Sequence, residues 1–158
     1  MRAQTTRMRK LLLTGIAVAA AVAATAAGMS VASGEANQIA QIRSSTAKYH
    51  DLAAATRAEY DNLNLCVDMM GEHYGKAASF ADGVLDANDP EALVYEHTKN
   101  GLALVAVEYV STTAGTVPGV GELHFNAAVN LWVLHAWVWK HNPDGMFADM
   151  NPTVGDCP

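Results

Sequence analysis

The sequence predicts an α+β fold: one domain in which an antiparallel sheet of three or more strands carries at least one packed helix. Three observations point there. The segment Ser45–Tyr60, STAKYHDLAAATRAEY, repeats mildly apolar residues at helical spacing. Two β-prone runs, 91–98 and 102–110, flank Asn100-Gly101, the strongest short hairpin signal a sequence offers. The segment 130–141, NLWVLHAWVWKH, is apolar on both alternating faces and reads as a buried strand, with a buried helix as the alternative.

The chain begins with Arg2, Arg7, Arg9 and Lys10, followed by an uncharged run from Leu11 to Ala27. This is the layout of a secretory signal peptide, expected over 1–34, with cleavage between about residues 26 and 36. Ala24-Thr25-Ala26 supplies the small-x-small pattern that the signal peptidase pocket requires. Arg7 and Arg9 are split by Met8, so the twin-arginine pair is missing, and the run is followed by no lipid-accepting Cys. The general secretory route is expected, with a membrane anchor as the competing reading because the run approaches the ~20 residues that cross a bilayer. The domain is then 37–158 and the location secreted or extracellular.

All sixteen Asp and Glu lie at or after Glu35, against six Lys and Arg in the same stretch, so the domain carries a charge of about −10. That balance repels phosphate backbones and anionic lipid, which excludes nucleic acid and, after signal cleavage, the membrane as partners; a small molecule or a cell-envelope component fits better. The only cysteines, Cys66 and Cys157, are expected to pair in an oxidising compartment and tie the C-terminal tail to the middle of the domain.

In chain order, the Ser45–Tyr60 helix presents Tyr49, Leu52, Ala53, Thr56 and Tyr60 on one stripe, with Ser45 or Thr46 as N-cap and His50 at the surface. Residues 61–89 show no clean period, and a loop is expected around Gly71–Gly75. Ala87-Asn88-Asp89-Pro90 is a turn. In the strand from Leu102 to Val110, strict alternation puts Leu102, Leu104, Ala106 and Glu108 on one face. Ser111–Gly121 is too poor in apolar groups to pack and reads as a loop, a candidate lid. In the last strand Leu131, Val133, His135, Trp137 and Trp139 share a side, and Asn142-Pro143-Asp144-Gly145 closes it. Met146–Pro158 reads as a tail wrapped over the core.

Familiar catalytic signatures are missing: no G-x-S-x-G, no H-E-x-x-H, no P-loop and no dinucleotide fingerprint. Asp144 and Asp149 lack EF-hand spacing and read as solvated turn acids. Two polar residues interrupt apolar strands, His135 and Glu108, and a charged Glu on a central strand is costly unless it is paired or holds a cation. His73 and His124 lie in flanking loop-like segments. If the four converge they form a three-histidine, one-carboxylate set suited to zinc, copper or iron, with Glu108 as fourth ligand or general base. The competing reading is a satisfied His135–Glu108 core pair with His73 and His124 as ordinary loop residues. His97 and His141 read as exposed strand ends, and Trp137 and Trp139 as core or as the aromatic wall of a small pocket.

The segments Val107-Glu108-Tyr109-Val110, Leu134–Trp139 and Asn142–Pro152 resemble those of a group of uncharacterised exported proteins, mainly from actinomycetes. Where that group usually reads G-M-G-Y-H-Y, this chain has Gly71-Glu72-His73-Tyr74-Gly75. The resemblance implies export and no particular activity. The functional expectation is an exported globular domain that binds a small ligand, a metal or an envelope component; the alternative is a metal-dependent enzyme built on the His/Glu cluster.

Overall fold

A computed structural model describes Gly34 and residues 36–158; residues 1–33 of the expected signal segment lie outside the described residues. Residues 36–158 belong to one compact unit. Six antiparallel strands form a sheet in the order β1-β2-β3-β4-β8-β7. They are β1 (Asp61–Val67), β2 (Gly71–Gly75), β3 (Ala92–Thr98), β4 (Gly101–Ser111), β7 (His124–Asn126) and β8 (Leu131–Ala136). Two short strands, β5 (Thr116–Val117) and β6 (Gly121–Glu122), pair with each other. No helix among the described residues is long and apolar enough to cross a membrane.

The helical part differs from expectation. Helix α1 covers residues 36–46 and buries Ile39, Ile42 and Thr46, spaced to share one side. Thr46 closes this helix instead of capping the next, its hydroxyl donating back to the Ile42 carbonyl at 2.7 Å. A 3-10 turn, Ala47–His50, leads to Asp51, whose extended backbone breaks the expected single helix. The Asp51 carboxylate accepts from the Ala53 N–H and so caps α2 (Leu52–Arg57). Of the expected stripe, Tyr49 and Tyr60 are buried, whereas Ala53 and Thr56 face solvent and Ala55 takes the inward position.

The principal core lies between the helices and one face of the sheet. Ile39, Ile42, Tyr49, Ala55 and Tyr60 pack there against Leu93, Tyr95, Leu104, Val107, Tyr109, Leu134 and Ala136. Three buried tyrosines also donate to main-chain carbonyls, Tyr60 to Pro90, Tyr95 to Tyr49 and Tyr109 to Ala87. Each hydroxyl is thereby satisfied while its ring fills the core.

β4 does not keep strict alternation. Val94 pairs with Ala106 but Tyr95 with Leu104, leaving Val105 as an extra residue. This β-bulge moves Leu102 and Leu104 to the principal core and leaves Ala106 and Glu108 on the opposite face. The Val105 carbonyl accepts from the Trp139 and Lys140 N–H groups, so the bulge also docks the chain leaving β8.

The expected loop at Gly71–Gly75 is a strand, paired on both edges with β1 and β3. Its fully buried positions are Gly71, His73 and Gly75, so none of the three carries an apolar side chain and the period-2 signal disappears. A Cβ at Gly71 would meet the Tyr95 carbonyl oxygen at 2.4 Å, and the backbone there has φ +111°. Glycine is the residue both constraints admit.

The Cys66–Cys157 disulfide is present and joins β1 to the end of the tail. Upstream of it, Val154 packs with Met70, Val94, Ala106 and Trp137 on the second face of the sheet. On the same face Ala92, Val110 and Val133 form another small apolar group.

Candidate metal centre

Between those two apolar groups the sheet carries three polar side chains. Glu108 on β4 pairs directly with His135 on β8, so both point to the same face. His73 on β2 enters from the other side of β3: its partner Val94 faces Ala106, two residues before Glu108. One ligand atom from each of His73, Glu108 and His135 lies within 4.8 Å of the others. The histidine side chains are 2% and 1% exposed and the Glu108 side chain 9%.

The distances are informative. His73 Nε2 is 3.6 Å from Glu108 Oε2, and His135 Nε2 is 3.5 Å from Glu108 Oε1. Both exceed a good N–H···O bond. Ligands held at about 2.0–2.1 Å around a tetrahedral cation lie about 3.3–3.4 Å apart, close to these separations. Neither ring nitrogen of His135 has a hydrogen-bond partner among the described residues. Buried unpaired nitrogens are expensive, and a cation is one way to satisfy them.

His73 is oriented from behind. Its Nδ1 donates to the Leu65 carbonyl at 3.1 Å, which leaves Nε2 as the free lone pair turned toward Glu108. A main-chain carbonyl behind a histidine is a common outer partner of a metal-ligating imidazole. The His135 ring lies nearly parallel to Trp137, with centroids 6.0 Å apart, and the Trp137 indole N–H is fixed on the Ala148 carbonyl.

Burial governs the charges. It pushes Glu108 up to about 8, with smaller contributions from Asp149 and Glu91. It also drives His135 down to about 3, reinforced by His73 and His124, and lowers His73. At neutral pH both imidazoles are therefore neutral, the form that donates a lone pair to a metal.

The fourth candidate, His124, stands outside the triad. It lies on the edge strand β7, and its Nε2 approaches Asp149 Oδ1 at 2.9 Å without hydrogen-bond alignment. Asp149 in turn lies 3.9 Å from His135 Nδ1. Asp149, expected as a solvated turn acid, is instead a half-exposed carboxylate beside the cluster. The tail holds it there through bonds on both sides: Trp137 N–H to Met146, Asn142 to the Met150 carbonyl, and Asn151 N–H to Met69. Nothing in the local sequence distinguishes Asp149 from Asp144; the signal is tertiary.

Comparison of the chain with known protein families, curated proteins and solved structures finds no match. The chemistry of the site must be argued from its own atoms. Two imidazoles and a carboxylate form the set that zinc hydrolases use, and with open positions the set of non-haem iron centres. Two other expectations change. His97 is exposed as expected but contacts the Glu72 carboxylate. Trp139 leaves the His135 face after β8 ends and packs edge-on against His50. A cleft of about 400 Å³ beside it is bounded by Arg43, Trp137, Trp139, Lys140 and His141.

Proposed function

We infer that this is an exported domain that binds one divalent transition metal through His73 Nε2, Glu108 and His135 Nε2. The observation that carries this reading is buried His135, whose ring nitrogens have no hydrogen-bond partner among the described residues, grouped with His73 and Glu108 at separations that suit a shared cation better than a hydrogen bond. Zinc, copper and iron all suit two imidazoles and a carboxylate. The near-complete burial of both histidines favours a held metal over one presented to a bulky substrate. Export rests on the signal-like N-terminus and accords with the disulfide.

A second reading, a metal-dependent enzyme, is favoured by one feature. The triad is flanked by Asp149 and His124, whose side chains are about half exposed, so a fourth metal position on that side would reach solvent. A water bound there would ionise near neutral pH, with the Asp149–His124 pair in place to take its proton.

Elemental analysis of the protein purified without a histidine tag tests the first reading. Near-stoichiometric metal in the wild type, lost in His135→Ala and His73→Ala, is the expected result. Metal-free wild type that stays folded and takes up no zinc, copper or iron on add-back would reject it. Exogenous azide changing the visible spectrum of the cobalt-loaded protein would favour the enzyme, because it requires an open coordination position.

A further inference from the structure

A second group of ligand-type atoms lies on the other face of the sheet. Glu72 and His73 are neighbours on β2 and point to opposite sides, so the sheet separates this group from the triad. Glu72 pairs directly with Cys66 across β1 and β2, and His97 reaches them from β3. Ligand atoms of Cys66, Glu72 and His97 all lie within 4.8 Å of one another, and Cys157 is bonded to Cys66. In the oxidised protein both sulfurs are tied up in the disulfide and are poor metal ligands, because the thiolate is the binding form.

We propose that reduction of the Cys66–Cys157 bridge turns this corner into a second, redox-gated metal site made of two thiolates, His97 Nε2 and Glu72. A dithiol or phosphine reductant supplies two electrons; the S–S bond breaks and each sulfur leaves as a thiol after taking up one proton. A zinc-type cation then displaces both thiol protons to solvent, and His97 binds through Nε2 as the neutral imidazole that keeps its one N–H on Nδ1. Two sulfurs, one nitrogen and one oxygen complete a tetrahedral set that this class of metal favours.

Three of the four ligands are preset by strand pairing that does not depend on the bridge. The Glu72 carboxylate is oriented from behind by Asn62, whose amide donates to Oε1 at 2.6 Å. Cys157, the fourth, is on the tail and free to adjust, yet its N–H is held on Asp68 at 2.9 Å next to β1. The His97 side chain is about one-third exposed, 34%, so reductant and metal both have access.

Cobalt(II) is the probe, because its sulfur-to-metal charge-transfer absorption reports thiolate ligands alone and is silent on any metal at His73, Glu108 and His135. The intact protein is titrated with cobalt before and after reduction by a phosphine. The oxidised form is expected to show no charge-transfer band. The reduced form is expected to bind one further equivalent with that band and a tetrahedral visible spectrum. His97→Gln is expected to weaken this binding at least about tenfold, the scale on which even outer partners of a metal act. A reduced protein with no band would overturn the proposal. So would a band that His97→Gln leaves unchanged, or one that appears only after circular dichroism shows the sheet lost, since either means thiolates acting without the preset corner.

Discussion

The hydrogen bond from His73 Nδ1 to the Leu65 carbonyl leaves one lone pair on that ring and aims it at Glu108. Replacing His73 by Gln keeps a polar group there but removes the imidazole, and metal affinity is expected to fall at least about 100-fold by competition with a chromophoric chelator. Asp149→Asn removes a carboxylate that lies 3.9 Å from His135 Nδ1, beyond hydrogen-bond reach, and should cost less than about tenfold in the same assay. Glu108 is held near 8 in the metal-free protein, so zinc uptake at pH 7 should release about one proton, declining as the pH passes 8, measurable by calorimetry in buffers of different ionisation heat. A separate buried carboxylate, Glu91, accepts from the Val110 N–H and is pushed up to about 7 by burial. Its folded pKa lies above its unfolded one, so the native state binds the proton more tightly. Wild type should therefore lose stability relative to Glu91→Gln as pH rises from about 4.5 to 7, and the gap should stay constant above that window. Urea midpoints of the two proteins across pH 4–9 check the sign.

At the scale of elements, the strands that sequence periodicity reveals are the ones with apolar side chains on the relevant positions. β3, β4 and β8 are legible for that reason, as is the turn after Thr98. β2 is not, because one face carries Gly71, His73 and Gly75 and the other Glu72 and Tyr74, so neither face shows an apolar alternation. The Val105 bulge is equally silent, since both of its neighbours are apolar, and it is what places Leu104 and Glu108 on different faces. The helix was displaced for a local reason: Asp51 competes for the backbone and starts a new turn. Of the candidate site, His73, Glu108 and His135 stand out in the sequence by type, whereas Asp149 becomes visible only when the tail is laid over the sheet. The glycine at 71 yields a direct prediction. Gly71→Ala drives a Cβ into the Tyr95 carbonyl and should destabilise the protein by about 1–3 kcal/mol, with weaker metal binding because His73 shifts along with β2.

For the whole molecule, the sheet divides two functions of its faces. One face, with the helices, carries the principal core; the other carries the polar triad under the C-terminal tail. The tail is held by the bonds around Asp149 and by the disulfide, whose partners are 91 residues apart. A loop of that length stabilises by at most about 4–5 kcal/mol in the chain-entropy model, so reduction should lower the urea midpoint visibly while leaving the native sheet intact in water. Metal at the triad should offset part of that loss, because it binds the native state alone. The most direct measurement is X-ray absorption at the edge of the metal bound by the oxidised, untagged protein. The account predicts two imidazole nitrogens and a carboxylate oxygen at about 2.0–2.2 Å, with no sulfur, and loss of that first shell with its metal in His135→Ala. A first shell of solvent oxygens only, or one unchanged by that substitution, would contradict it.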